Sequence, residues 1–298
     1  MNDLSSLRTS PASVLTPVKM TDRVPPQLYF IVSAFFHYLG PAFAVLLFAH
    51  VEPLGAAWLR IATAAVIFAL WRRPWRFFVL FDNTERWIVI ALGVVLALMN
   101  ASFYLALDHL PLGTVGAIEF LGPIGLAAFG MRTARNVGAL LTVICGVYIL
   151  TNARFEGAAI GYLYAFANCA LFVIYIVLGH KIAGKGATGG VDRLGMAMLV
   201  ALAVSLPIGF SDAAVAFRDP ELLGAGIVVG ICSSVIPYVC DQFAMARLLR
   251  STFALMLALL PATATVIGAV VLRQFPTLAE LAGIGLVVIG VAVHQAET

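Results

Sequence analysis

Few side chains in this 298-residue chain can do chemistry, and most of those that can stand inside apolar runs. Glu119 is flanked by Ala117-Ile118 and Phe120-Leu121-Gly122. A carboxylate in such company receives a cation, takes up a proton when its surroundings dry, or, protonated, bonds a neighbouring helix. It is expected to be the only acidic residue deep in a run. Arg60 follows Pro53 by about two helical turns, so its guanidinium either snorkels to water, packs on an interior carbonyl or meets a carboxylate. Asn100 and Tyr104 are four apart and share a helix face, as do Tyr238 and Gln242. Each amide needs a partner in hydrocarbon, which a ligand or a neighbouring helix can supply. His37 with Tyr38, and Asn168 with Phe172 and Tyr175, complete the polar and aromatic set. His37 titrates near neutrality and is either a proton-carrying group or a hydrogen-bonded helix feature. Asp241 lies near Arg247, and an ion pair at the membrane interface is the expected role.

Other chemistries are missing their residues. There is no G-x-x-x-x-G-K-[ST] loop, no H-E-x-x-H and no G-x-S-x-G, so neither an ATPase nor a common hydrolase is expected. Cys145, Cys169, Cys232 and Cys240 fall in apolar runs without metal-ligand spacing, and no metal or cofactor is implied. Lys19, Lys181 and Lys185 lie outside the runs, so a buried Schiff base is not available.

Long helices in lipid must position these residues. Only 18 Lys+Arg and 15 Asp+Glu occur, 62% of residues are apolar and the mean hydropathy is +1.00. A water-facing surface needs far more charge, which removes soluble globular and disordered classes. The runs are continuous rather than alternating, which disfavours a β-barrel. They predict an all-α integral membrane protein of ten helices, near 29–48, 54–71, 87–107, 111–130, 136–151, 157–179, 194–211, 221–245, 251–272 and 278–295. The first run is too long for a secretory signal and follows a cytoplasmic tail spanning residues 1–28. Placed on alternate ends, Arg8, Lys19, Arg23, Arg72, Arg73, Arg76, Arg86, Arg132, Arg135, Lys181, Lys185, Arg193, Arg247 and Arg250 share one side. Arg154, Arg218 and Arg273 take the other, so both termini are expected in the cytoplasm. The net charge of +3 therefore reflects topology rather than a nucleic-acid surface.

An internal repeat organises the runs. At a constant offset of 138, Ala106 matches Ala244, Leu110 matches Leu248, Thr114 matches Thr252 and Pro123 matches Pro261. The same offset sets Asn100 opposite Tyr238 and Tyr104 opposite Gln242, and after a short insertion Gly146 falls near Gly290. Residues 29–151 and 152–298 thus read as two five-helix copies. An odd-numbered repeat must enter the membrane from opposite faces, giving an inverted pair with a site near the midplane. Pro41, Gly122, Pro123, Pro237 and Pro261 would be hinges of such a machine, or static kinks.

The stretches Met99-Asn100-Ala101-Ser102-Phe103-Tyr104-Leu105-Ala106, Leu110-Pro111-Leu112-Gly113-Thr114 and Glu119-Phe120-Leu121-Gly122-Pro123 resemble the drug/metabolite transporter superfamily, in its ten-helix branch often called EamA. Within the branch they look most like bacterial threonine/homoserine exporters, then aromatic-amino-acid exporters. The likeness runs along the chain, through Pro53 to Arg60, Gly161 to Tyr175 and Val235-Ile236-Pro237-Tyr238. The chain departs at Leu272-Arg273-Gln274, where the family usually carries a Glu. The resemblance implies a multi-pass carrier of the bacterial inner membrane that exports an amino acid or related small metabolite by alternating access. A broad drug/metabolite exporter and a channel-like facilitator are the alternatives. Its partners would be the lipid bilayer and a small-molecule substrate, with protons a candidate coupling ion and no oligomeric state specified.

Overall fold

The computed structural model describes residues 24–130, 133–152, 159–184, 186–248, 253, 256 and 259–293. The helices are α1 (Pro26–Leu47), α2 (Pro53–Arg72), a single turn α3 (Trp75–Phe78), α4 (Asn83–His109), α5 (Leu112–Gly130) and α6 (Ala134–Asn152). They continue with α7 (Ala159–Ala183), α8 (Ala187–Ala213), α9 (Pro220–Gly230), α10 (Ile236–Met245), α11 (Leu259–Val271) and α12 (Leu278–Val293). A 3₁₀ turn spans Ala214–Arg218, and a π-helical turn spans Ile231–Val235 between α9 and α10. Among the described residues there is no strand. The 1–23 part of the tail, Thr252, Arg132, Arg154, Lys185, Arg250 and much of the 251–258 stretch, all used in the sequence reading, lie outside the described residues.

Local chemistry sets the ends. Pro26, Pro53 and Pro220 stand at or near helix starts, where a missing N–H costs nothing. Asp82 caps α4 by accepting from the Glu85 N–H at 2.7 Å, and Asp219 caps α9 through the Glu221 N–H at 2.9 Å. Thr277 and Glu280 form a reciprocal box at the start of α12, with the Thr277 N–H donating to Glu280 Oε2 at 2.7 Å and the Glu280 N–H donating to Thr277 Oγ1 at 3.2 Å. α2 stops at Arg73, whose φ of 48° is left-handed.

Where its residues are described, each apolar run read from the sequence overlies helix, with shifted ends. The run at 194–211 begins early, at Ala187, because the glycine-rich break needs only Gly186, at φ 88°, to turn the chain. The run at 221–245 is interrupted by the π turn, which periodicity alone does not signal. Six of the described helices are long and apolar enough to cross a membrane: Pro26–Leu47, Pro53–Arg72, Asn83–His109, Ala159–Ala183, Thr188–Arg218 and Pro220–Met245. Leu70, Leu163, Val266 and Val270 are among many large apolar side chains left exposed, as a lipid-facing surface requires. Trp71, Trp75 and Trp87 are exposed near Arg72, Arg73, Arg76 and Arg86, the pairing of aromatic and basic groups found at a membrane interface.

The helix contacts come in matched sets. α1 packs on α10 and α11, and α7 packs on α4 and α5. α2 meets α9, and α8 meets α4, while α2–α8, α5–α11 and α6–α12 are further pairs, and each of these contacts joins residues 26–152 to residues 159–293. Small residues seat them. A Cβ on Gly146 would lie 2.6 Å from the Gly283 carbonyl oxygen, and one on Gly290 would lie 2.8 Å from that of Ala139, so α6 and α12 touch through two reciprocal glycines. At Gly40 of α1 an added Cβ would stand 2.6 Å from the Ser233 backbone nitrogen, so α1 crosses the π turn at backbone contact. Gly40→Ala is therefore expected to cost about 1–3 kcal/mol through overpacking and to lower the thermal midpoint of the purified protein by several degrees. Gly125→Ala, with nothing within 4 Å of the added carbon, should leave that midpoint unchanged or raise it.

Candidate functional site

The site starts from one proline. Pro237 has no N–H, so the carbonyl of Ser233, four residues before it, loses its helical donor. Arg60 of α2 supplies the replacement, with Nη2 donating to Ser233 O at 2.6 Å, Nε donating to Ser234 Oγ at 2.7 Å and Nη2 donating to Tyr238 OH at 3.3 Å. The guanidinium is 3% exposed and lies over the rings of Tyr104 and Tyr238, 5.6 and 5.9 Å from their centroids. Among the described residues no carboxylate stands within 4 Å of it. The π turn is thus a receptor for an arginine, which fits the frequent placement of such turns at functional positions.

Glu119 of α5 is 2% exposed and gathers two helices. Tyr38 OH of α1 donates to Oε2 at 2.9 Å, and Asn168 Nδ2 of α7 donates to Oε1 at 2.9 Å. His37 Nε2 is 3.8 Å from Oε2. Asn100 Nδ2 donates to the Leu96 carbonyl at 2.6 Å and approaches Tyr238 OH at 3.5 Å. Both asparagine amides are thereby oriented by an acceptor, and both Oδ1 atoms have no hydrogen-bond partner among the described residues. An unmatched buried acceptor costs about 1–3 kcal/mol, so two beside one carboxylate mark a place that wants donors. Arg60, Asn100, Glu119, Asn168 and His37 line one cavity of about 10 Å³ with Met99 and Phe103. That is room for one water at most, far short of an ordinary ligand pocket of roughly 300–1,000 Å³.

A second acidic centre lies below, toward the ends where α1 begins and α10 finishes. Asp241 of α10 is 6% exposed. Ser33 Oγ donates to its Oδ1 at 2.5 Å and Tyr175 OH to its Oδ2 at 3.1 Å. Phe172 stacks on Tyr175 at 5.8 Å and tilts against His37 at 6.2 Å. These residues border a separate cavity of about 10 Å³, and His37 lines both spaces.

Three expectations are corrected here. Asp241 is not an interfacial partner of Arg247, because six residues along a helix put them about 120° apart. Arg247 instead donates to the Val24 carbonyl at 2.9 Å and covers the Tyr29 ring, while Asp241 turns inward. Glu119 is consequently not the only acid at depth. Arg60 does not snorkel; it packs on an interior carbonyl, one of the roles its position allowed. Gln242 does not join the cavity with Tyr238, since one turn carries it about 6 Å down the axis to lie against Gly190. Tyr104 contributes its ring beneath Arg60. Of the proposed hinges, Pro41 and Pro123 lie inside α1 and α5, Pro237 follows the π turn, Pro261 is in α11, and Gly122 sits close against Cys169 of α7. Ser33, Ser233 and Ser234 were missed; the sequence signal for Ser233 is Pro237 four residues on.

Residues 159–294 match the EamA-like transporter family. The threonine/homoserine exporter RhtA of Escherichia coli K12 is 29% identical over 256 residues, covering 84% of each chain. Its counterpart from Salmonella typhimurium LT2 is 29% identical over 242 residues, covering 79% of each. A protein crystal structure aligns over 90% of this chain and 96% of its own with a TM-score of 0.57 and 22% sequence identity, a likeness of fold.

The fork on Arg60 cannot be reproduced by an ammonium, so Arg60→Lys should cost about 1–3 kcal/mol and Ser234→Ala about 1 kcal/mol. Thermal unfolding of the detergent-purified variants, followed by tryptophan fluorescence, is expected to rank them in that order.

Proposed function

We propose that this chain, which carries an EamA-like transporter domain, exports a small zwitterionic amino acid of the threonine/homoserine kind across the bacterial inner membrane by alternating access. One observation carries the reading: a buried guanidinium and a buried carboxylate line the same small cavity without pairing, beside two asparagine oxygens that lack donors. A guanidinium without a counter-ion and acceptors without donors are costly at membrane depth until an anion and a donor arrive. An amino acid brings both. Its α-carboxylate meets Arg60, and its ammonium, with three donors, meets Glu119 and the Oδ1 atoms of Asn100 and Asn168. The cavity must widen to admit even a small amino acid, which favours a short side chain over an aromatic one.

The inverted repeat gives the movement. Asn100 and Tyr238 occupy equivalent positions at the offset of 138 and come within 3.5 Å of each other, as residues beside a two-fold axis do. The matched helix contacts support residues 29–151 and 152–298 as the two copies. His37, Glu119 and Ser233 each stand four residues before a proline, so α1, α5 and the α9–α10 segment are weakened in the turn that holds the site. In this reading, Pro41, Gly122, Pro123, Pro237 and Pro261 are the flexing points, and the two halves rock about the bound zwitterion. Both termini face the cytoplasm, with the tryptophan and arginine cluster at that interface.

Counterflow of labelled threonine in proteoliposomes tests this. The wild type is expected to show trans-acceleration, which a channel does not give. Glu119→Gln, inserted normally, should lose about two orders of magnitude of transport, because the ammonium forfeits its counter-charge and leaves buried polar groups unmatched. The hydroxy acid that replaces the ammonium of threonine should compete at least roughly tenfold worse for the same reason. Unimpaired counterflow in Glu119→Gln would remove the carboxylate from the site.

A further inference from the structure

The Asp241 centre has no part in holding a zwitterion at Arg60 and Glu119, yet it is as deeply buried and is joined to that site by a shared residue. We infer that Asp241, held by Ser33 and Tyr175, is a second proton-binding centre, linked through His37 to Glu119, and that it returns to the cytoplasm the proton displaced when a substrate ammonium binds. The inference rests on the carrier reading above and assigns its coupling route.

The geometry orders the groups by depth. Arg60 and Glu119 lie about two turns from the ends at which α2 and α5 begin, whereas Asp241 is four residues from the opposite end, at Met245 of α10. His37 sits near the middle of α1, one turn beyond Ser33. Its Nε2 is 3.8 Å from Glu119, and its ring borders the cavity into which Asp241 faces. The groups around Asp241 offer a proton acceptor rather than an ion pair. α1 contributes Ser33 and His37, α7 contributes Tyr175, and its own helix contributes Tyr238, whose ring lies 5.6 Å from that of Tyr175. On α8 the charged residues are spent elsewhere, Asp192 on Arg72 at 2.7 Å and Arg193 on Glu85 at 3.0 Å. His180 of α7 faces its own Ile176 carbonyl and the Phe253 ring. Two hydroxyls hold this carboxyl group, and among the described residues no three of His, Cys, Asp and Glu gather as a metal cation with several ligands would require.

The transfer balances. As the ammonium arrives, the O–H bond of protonated Glu119 breaks and an N–H bond forms at His37 Nε2. The imidazolium gives up its other proton from Nδ1 across the second cavity, and an O–H bond forms on Asp241. Deprotonation of Asp241 toward the cytoplasmic end restores that carboxylate, and return of the remaining His37 proton from Nε2 to Nδ1 restores the starting tautomer. In the outward-facing state a proton from outside recharges Glu119 and expels the substrate, so one proton enters for each amino acid exported.

Two readouts decide it. Adding threonine to purified protein in weak buffer with a pH dye should release protons from the wild type. Asp241→Asn should release about tenfold fewer, the scale of losing a positioned proton-transfer group, with release recovered in Asp241→Glu. Threonine binding is followed in parallel by thermal stabilisation. Infrared titration should show two protonated-carboxyl C=O bands, one from Glu119 and one that is missing in Asp241→Asn and shifted in His37→Gln. Proton release at the wild-type level in Asp241→Asn, both carboxyl bands persisting there, or threonine uptake driven by a sodium gradient instead of a pH gradient would each overturn the assignment. A wild type that shows no threonine counterflow sinks the carrier reading, and the infrared band still decides the fate of Asp241.

Discussion

An arginine bound to a broken helix is the interaction on which the rest of this protein depends. Pro237 strips Ser233 of its helical donor, the chain relaxes into a π turn, and Arg60 crosses from α2 to fill the vacancy. That single fork ties the first half of the chain to the second, brings the Tyr104 and Tyr238 rings over the charge and fixes where the cavity opens. It also explains why Gly40 must be glycine, since α1 has to run across the π turn at backbone distance to bring His37 and Tyr38 to Glu119. A buried guanidinium with hydrogen bonds but no counter-ion is stable enough to persist and electrically unfinished.

The fold was legible because hydrocarbon leaves the backbone so few choices. Where every N–H must be satisfied within its own segment, an apolar run of sufficient length is a helix, and composition finds it. The same rule made Glu119, Arg60 and Asn100 conspicuous, since a polar residue in such a run demands an explanation. What the runs do not encode is azimuth. Asp241 looked interfacial from its distance to Arg247 along the chain, but its direction around the helix put it inside. Gln242 shares a face with Tyr238 and still misses the cavity, because face and depth are separate coordinates. The π turn adds an offset of its own and rotates everything after it relative to ideal helical counting, which is why the serines that hold Arg60 gave no periodic signal.

Polarity is distributed unevenly along the membrane axis. The upper cavity holds a guanidinium, a carboxyl group and unmatched acceptors, while the lower one holds a carboxyl group that two hydroxyls contact. Among the described residues His37 is the one that lines both, and its neighbours Tyr38 and Ser33 on the same helix serve one acid each. α1 is therefore the element that touches both acids. Its aromatic contacts, Tyr38 on one side of the imidazole and Phe172 on the other, hold that ring in a narrow slot.

The spacing of four between His37 and Pro41, Glu119 and Pro123, and Ser233 and Pro237 has a lever-arm consequence. When a rod bends, points near the pivot travel little and points far from it travel far. A bend of ~20° at one of these prolines moves a helix end ten residues away by ~5 Å, while atoms within one turn of the pivot shift by a fraction of that. In the proposed carrier, chemistry placed at the pivot stays assembled while the mouths at either end swing, so the grip on a cargo need not loosen for the path around it to change direction.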